Sequence, residues 1–200
     1  MCMSQPFLIV ISGFPATGKT TLAKKLSSRF KVPAFCADEF KEFLFDRIGN
    51  WENKGLFNAV SVSSYDLVYH LADLLLASGN SCIVEAFFRA DLARKKLLRL
   101  RDDFKSRVLQ IHMYSGAHII EDRLRKRRET HERHPCHPDN FTQKLGDGSL
   151  QEKDELIRLE NEKMYIGDEV ILVETSDFNA VDFPSIFQRV ENFLSQDVSE

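Results

Sequence analysis

The sequence predicts an α/β fold in which a five-stranded parallel sheet is covered by helices on both faces. Five short, β-rich apolar runs occur at residues 7–12, 32–37, 81–85, 107–113 and 169–174. Because these runs are mainly apolar, they are typical of strands that are buried on both faces. Stretches with helical periodicity separate them, and this alternation is typical of a parallel sheet with crossover helices.

The helices follow the strands in regular order. They are predicted over residues 19–30, from Asp38 through Leu44, from Ser61 or Ser63 to Gly79, and over residues 90–101, 116–128, 150–165 and 183–194. Residues 51–55 are polar and predicted to form a loop, whereas residues 129–148 contain several prolines and glycines and form one long irregular segment. A chain of 200 residues with no internal repeat is expected to be a single domain, residues 1–200.

Composition narrows the possible classes of protein. A formal net charge of −3 argues against a surface that coats nucleic acid. The four cysteines are far apart and form no CxxC pair, which favours reduced thiols in the cytoplasm. The sequence shows neither a signal peptide nor about eighteen consecutive apolar residues, so a cytoplasmic protein without a membrane span is expected.

The first strand runs directly into a phosphate-binding motif. Residues 13–20 fit GxxxxGK[ST] without a mismatch, and a predicted helix follows. Glycines allow the loop to point several N–H groups at one anion, and the helix adds the positive end of its dipole. Lys19 is expected to reach the β- and γ-phosphates and Thr20 to bind Mg²⁺. The predicted ATP-binding residues are Gly13, Phe14, Pro15, Ala16, Thr17, Gly18, Lys19, Thr20 and Thr21.

The motif identifies a three-layer P-loop NTPase fold, and further patterns narrow its class. The chain has neither the NKxD motif of GTPases nor an LSGGQ-type signature. With G-x-P-x-x-G-K-T-T-L-A at 13–23, Asp38 after the second strand and an arginine-rich segment at 123–137, it resembles the AAA_33-type P-loop small-molecule kinases. That family includes chloramphenicol phosphotransferase, zeta toxins, gluconate kinase and the kinase domain of phage polynucleotide kinase. The resemblance implies a nucleoside-monophosphate-kinase-like fold with an arginine-rich lid at about 123–148.

Two carboxylates follow strands of the predicted sheet, where parallel sheets bind ligands. Asp38 could accept the proton of an acceptor hydroxyl, or it could cap the following helix; the resemblance favours the catalytic role. Glu85 could hold the Mg²⁺ shell through water, or it could pair with a buried cation. Related kinases usually carry aspartate at this position, so both interpretations stay open.

The residues that follow Glu85 are further candidates. Arg89 could hold an anionic acceptor or cap a helix, and Phe87 and Phe88 could line the acceptor pocket or belong to the core.

The lid supplies candidate cations for the transferred phosphoryl group. Arg123 and Arg127 are four residues apart and share one helical face. The family pattern implies a catalytic role for Arg123, Arg127 and Arg128, with Arg127 first among them. His131, His134, Cys136 and His137 resemble metal ligands, but their HxxHxCH spacing matches no zinc module, and related kinases have a histidine–proline stretch here without metal.

The sequence therefore predicts an ATP- and Mg²⁺-dependent kinase that phosphorylates a hydroxyl group of a small molecule. The aromatic residues of the helix after Asp38 and of residues 51–65 hint at an uncharged acceptor. Two alternatives remain: a polynucleotide 5′-hydroxyl kinase, although a nucleic-acid partner is not favoured, and a nucleotide-dependent switch that transfers nothing. The sequence indicates nothing about the oligomeric state.

Overall fold

Five parallel strands form one sheet. The computed structural model describes residues 5–49, 52–130, 134–137, 152–153 and 163–196. The strands are β1 (Phe7–Gly13), β2 (Ala34–Cys36), β3 (Cys82–Glu85), β4 (Arg107–Tyr114) and β5 (Glu169–Glu174). They lie in the order β2-β3-β1-β4-β5, and every neighbouring pair is parallel. The five-stranded parallel sheet predicted from the sequence is confirmed.

Helices connect these strands. They are α1 (Lys19–Phe30), α2 (Ala37–Ile48), α3 (Lys54–Ala77), α4 (Ala90–Asp103), α5 (Ala117–Glu129) and α6 (Phe183–Ser195), with a short 3-10 helix at Phe178–Ala180. No helix within the described ranges is both long enough and apolar enough to cross a membrane. The irregular segment predicted at 129–148 and the helix predicted at 150–165 fall mostly outside the described residues.

Helix α3 begins earlier than its apolar pattern indicates. The prediction placed its start at Ser61 or Ser63, whereas the structure places it at Lys54. Asn53 is the reason, because its side-chain oxygen accepts a hydrogen bond from the backbone N–H of Leu56 at 3.0 Å and caps the first turn. The predicted loop at 51–55 is therefore wrong for its last two residues.

Alternate residues of the central strand point to opposite layers of helices. Leu8 and Val10 pack with α3 and α4, whereas Ile9 and Ile11 pack with α1 and α6. All four side chains are fully buried. A strand with an apolar layer on each face needs the uninterrupted apolar run that the sequence shows.

A polar network is buried beside the end of β1. The Ser12 hydroxyl accepts a hydrogen bond from Nε2 of Gln110 at 3.1 Å and lies 3.0 Å from Nδ1 of His112. A hydroxyl has one hydrogen and two lone pairs, so Ser12 can accept from Gln110 and also share a hydrogen bond with Nδ1, whose direction depends on the tautomer of the imidazole ring. Burial lowers the pKa of His112 to about 4, and the nearby charges of Lys163 and Lys19 act in the same direction.

We predict that His112 makes the protein less stable in mild acid. The unfolded chain binds a proton at His112 near pH 6.5, but the folded chain binds it only near pH 4. Stability is therefore lost as the pH falls between these values, by about 3 kcal/mol if His112 acts alone. The free energy of unfolding is measured by denaturant titration between pH 7 and pH 4. For His112→Asn it should fall less with pH than for wild type. His118→Asn is the control, since His118 is at an exposed site on α5. If the free energy of unfolding changes equally with pH in His112→Asn and wild type, the prediction is contradicted.

Candidate active site

The predicted phosphate loop connects β1 to α1, and β4 constrains its shape. Gly13 has a φ of +139°, and a Cβ atom there would lie 2.1 Å from the carbonyl oxygen of Met113 on β4. Such a distance is impossible for a side chain, so only glycine fits. Ala16 has a φ of +65°, which is uncommon for a residue with a side chain. The loop is thus held in a tightly turned form against the neighbouring strand.

A second glycine of the loop lies under an aromatic ring. Gly18 has a φ of +88°, and a Cβ atom there would lie 2.2 Å from Cε2 of Phe178. The Phe178 ring in turn packs edge-to-face on Phe183, with 5.8 Å between the ring centroids. Phe178 follows β5, so a segment far along the chain closes one side of the loop.

Lys19, Thr20 and Glu85 come together at the ends of β1 and β3. The Lys19 ammonium donates to the carbonyl oxygen of Phe14 at 2.9 Å and lies 3.8 Å from Oε1 of Glu85. The Thr20 hydroxyl donates to Oε2 of Glu85 at 2.9 Å. Glu85 is only 2% exposed, and burial raises the pKa of its carboxyl group, although Lys19 and the Thr20 hydrogen bond oppose the rise. Of the two interpretations of Glu85, the structure shows the contact with a buried cation.

The same oxygens fit a magnesium ion. Ligands about 2.1 Å from an octahedral ion lie roughly 3 Å apart at neighbouring corners, and Thr20 Oγ1 and Glu85 Oε2 are 2.9 Å apart. Within the described ranges, no three histidine, cysteine, aspartate or glutamate side chains form a metal site. One hydroxyl and one carboxylate suit Mg²⁺, which usually takes its other ligands from nucleotide phosphates and water.

Asp38 lies at the end of β2, the strand next to β3. It is exposed in the first turn of α2, which begins at Ala37 with Cys36 as its N-cap. The alternative that Asp38 caps this helix is therefore wrong. The charge of Asp38 contributes, after burial, to raising the pKa of Tyr65, and it also helps to raise the pKa of Glu85. Because Cys36 pairs with Glu85 in the sheet, Asp38 follows β2 at the edge where Glu85 ends β3.

Tyr65 joins α3 to the segment that follows β3. Its hydroxyl donates to the carbonyl oxygen of Phe87 at 3.3 Å. The Phe87 ring packs edge-to-face on Phe14 of the phosphate loop, with 5.2 Å between centroids, and Phe88 is buried in the core. Arg89 occupies the N-cap position of α4, and its guanidinium group bonds to both carboxylate oxygens of Asp91, at 3.2 and 2.8 Å. Phe88 therefore belongs to the core, whereas an acceptor-pocket role for Phe87 stays a prediction.

Arg123, on α5, forms hydrogen bonds to the phosphate loop and to the residues that follow β5. Its guanidinium group donates to the carbonyl oxygen of Ala16 at 3.2 Å, to that of Ser176 at 3.2 Å, and to that of Thr175. Burial lowers the pKa of Arg123, and the nearby charge of Arg127 adds to this effect. Arg127 and Arg128 are exposed near the end of the helix. Arg123 thus helps to position the phosphate loop in the structure. A catalytic role of the three arginines stays a prediction.

The described part of the lid, residues 134–137, is docked on α2. Nε2 of His134 lies 2.9 Å from Asp46, and Nε2 of His137 lies 2.9 Å from Glu42. Cys136 between them is buried against Phe45. Burial lowers the pKa of His137, and the nearby carboxylates oppose that change. His131, the remaining candidate metal ligand, lies outside the described residues.

Sequence reasoning missed several of these contacts. The carboxylates that bind the histidines, Glu42 and Asp46, follow Asp38 at intervals of four, so their position on one helix face was visible in the sequence. Nothing local distinguishes Tyr65 or Phe178 from core aromatic residues. Their roles arise from contacts between residues that are far apart in the chain.

We predict that Gly18→Ala disrupts nucleotide binding more than Gly49→Ala does. Both glycines have positive φ, but a Cβ on Gly49 would meet nothing within 4 Å, whereas one on Gly18 would displace Phe178. Both variants should lose stability from backbone strain, by about 1–3 kcal/mol, since Gly18 is in the left-handed region and Gly49, with a ψ of −160°, is in a region that other residues rarely enter. Titration with a fluorescent ADP analogue should show about tenfold or greater weakening only for Gly18→Ala. Equal affinities would mean that the loop adapts to a displaced ring.

Known proteins provide an independent comparison. The model of the AAA_33 family, described as an AAA domain, matches residues 8–143, which is more than half of the chain. A candidate kinase from Chloroflexus aurantiacus J-10-fl is 28% identical over 98% of this chain and 100% of its own, with a TM-score of 0.80. No curated protein sequence gives a significant match.

More distant structures share the fold. A sugar kinase from Janibacter sp. HTCC2649 is 16% identical over 94% of both chains, with a TM-score of 0.56. The APS kinase of Mycobacterium tuberculosis, solved with AMPPNP and APS, is 13% identical over 96% of this chain and 99% of its own, with a TM-score of 0.57. Together with the site geometry, the family match shows that this chain belongs to the AAA_33 family and has the fold of P-loop kinases.

Proposed function

We propose that this protein is an ATP- and Mg²⁺-dependent kinase that transfers the γ-phosphate to a hydroxyl group of a small molecule. The observation that carries the proposal is the position of Glu85, which contacts both Lys19 and Thr20 and lies near Asp38. One buried carboxylate thus connects the residues suited to hold phosphates and metal to a residue suited to act as a base. The kinase-like fold and the family match support the same conclusion.

The proposed reaction assigns one task to each residue. Lys19 and the loop would hold the phosphates, and Thr20 with Glu85 would hold Mg²⁺, directly or through water; the ion would neutralise charge on the phosphates. Asp38 accepts the proton of the acceptor hydroxyl as its oxygen attacks the γ-phosphorus atom. The bond between this phosphorus and the β–γ bridging oxygen breaks, and ADP leaves.

The lid arginines would act on the charge that develops during transfer. Arg127 lies one helical turn beyond Arg123, which already contacts the loop at Ala16. A guanidinium group at this point can approach the phosphoryl oxygens when the lid closes. We therefore assign the transition-state role first to Arg127, with Arg128 beside it, and a mainly positioning role to Arg123.

Release of ADP from ATP and Mg²⁺ tests the proposed function. Wild-type protein should be tested against nucleosides, sugars, antibiotics and oligonucleotides, with Lys19→Met as the inactive control. At least one small alcohol should stimulate ADP release by wild type and not by the variant, because the variant lacks the phosphate-binding cation. Melting curves are needed alongside, since the substitution leaves Glu85 buried without Lys19. Wild-type turnover by folded Lys19→Met would overturn the phosphate-loop assignment.

The same assay separates the alternative functions. Stimulation by oligonucleotides with a free 5′-hydroxyl group, and by no small alcohol, would identify a polynucleotide kinase. Slow ATP turnover that no acceptor changes would identify a nucleotide-dependent switch. Either result would replace the proposed function.

We predict that Asp38→Asn blocks transfer but not nucleotide binding. Asparagine has nearly the same shape but cannot accept the proton, so acceptor phosphorylation should fall roughly a hundredfold or more. ATP affinity and melting temperature should stay close to those of wild type, because Asp38 is exposed. The measurements are initial rates with a stimulating acceptor and titration with an ATP analogue.

Glu39→Gln is the matched control for this experiment. Glu39 is also in the first turn of α2, so both substitutions remove one negative charge near the helix N-terminus. Glu39 pairs with Lys24 on the surface, at 2.7 Å, and should not affect transfer. Equal rates for the two variants would show that Asp38 is not the base.

A further inference from the structure

A cavity of about 410 Å³ opens between α3, α4 and the segment that follows β3. Pockets that bind drug-sized molecules have volumes of roughly 300–1,000 Å³. The cavity is therefore large enough for a ring with its substituents. Neither the phosphate-loop residues nor the lid residues described above line it.

Aromatic side chains form most of the cavity wall. Tyr65 and Tyr69 project from α3, and Phe87 and Phe88 follow β3. The rings support one another, since Tyr69 and Phe88 have centroids 5.9 Å apart and Tyr65 and Phe88 have centroids 6.5 Å apart. Leu92, which is 65% exposed, forms part of the rim. Such a surface gains most by contact with an apolar ring.

The cations among the lining residues already face carboxylates. Arg89 bonds to Asp91, and Lys96 lies 2.8 Å from Asp66, which also lines the cavity. An anionic group placed at either cation would stand beside a carboxylate of the same charge. This arrangement disfavours acceptors that carry a carboxylate or a phosphate.

Tyr65 connects the cavity to the proposed base. Its ring lines the wall, and its hydroxyl bonds to the Phe87 carbonyl oxygen. Cys36 pairs with Glu85 in the sheet, so Asp38 and Phe87 each lie two residues beyond paired positions at the same edge. A molecule with its ring in the cavity can therefore direct a substituent past Tyr65 towards Asp38.

From this geometry we infer that the acceptor is an uncharged alcohol with an aromatic or aliphatic ring, and that the ring occupies this cavity. The inference rests on the proposed kinase function and adds the class of its substrate. The same contacts disfavour sugar acids and phosphorylated metabolites.

Three matched probes test the inference by direct binding. They are 2-phenylpropane-1,3-diol, its carboxylate analogue 3-hydroxy-2-phenylpropanoate, and 2-methylpropane-1,3-diol, which lacks the ring. Titrations followed by protein NMR should show that the phenyl diol binds about tenfold or more tightly than either analogue. Equal binding of the three probes, tighter binding of an analogue, or binding of none would overturn the inference.

A charge introduced at the rim should reverse the preference. Leu92→Arg places a cation there, so this variant should bind the carboxylate probe more tightly than the diol. Leu74→Arg is the control, because Leu74 is also exposed, at 52%, but does not line the cavity. The control should keep the wild-type preference. If neither variant or both variants change it, the ring does not occupy this cavity.

Measuring ADP formation from ATP in the presence of the same probes separates this inference from the proposed function. If the phenyl diol binds selectively but no acceptor stimulates release of ADP from ATP, the kinase function is contradicted. The class of molecule assigned to the cavity is then still supported. ADP release that is stimulated by the carboxylate probe but not by the phenyl diol would support the kinase and overturn the assigned class of acceptor.

Discussion

The contact of one buried carboxylate with Lys19 and Thr20 organises the site. Glu85 is almost fully buried, and removing a cation from beside a buried carboxylate is strongly destabilising. The phosphate loop and β3 are therefore bound to one another by charge as well as by strand pairing, since Ile11 pairs with Glu85 in the sheet. Any change at Glu85 alters the environments of the lysine, the hydroxyl group and Asp38 together.

The parallel sheet positions the surrounding residues around this contact. Because all strands run in one direction, the ends of β1, β2 and β3 bring Gly13, Asp38 and Glu85 to the same edge. Helix α2 carries Asp38 and also the carboxylates that bind the lid histidines, Glu42 and Asp46. The proposed base and residues 134–137 are therefore positioned by the same helix.

The sequence predicted the strands, most helices and the phosphate loop because each leaves a local signal. An apolar run, a glycine pair followed by Lys19, and a helical period can all be recognised without knowledge of distant contacts. The prediction was wrong at the start of α3, where the Asn53 cap precedes the apolar pattern. Tyr65 and Phe178 were missed because their contacts depend on residues more than twenty positions away. The aromatic cavity is likewise formed by α3, α4 and the segment after β3, which meet only in the folded chain.

The contact between Phe178 and Gly18 also has a consequence for the order of synthesis. Gly18 leaves the ribosome early, whereas Phe178, α6 and the carbonyl groups of Thr175 and Ser176 that Arg123 bonds emerge about 160 residues later, at roughly 5–20 residues per second. The nascent chain therefore carries an incomplete nucleotide site for about 10–30 s. Nucleotide can stabilise the completed site by mass action only after that interval. Until then Ile9 and Ile11 also lack the packing of α6, so the earlier part of folding depends mainly on the apolar layer that β1 forms with α3 and α4.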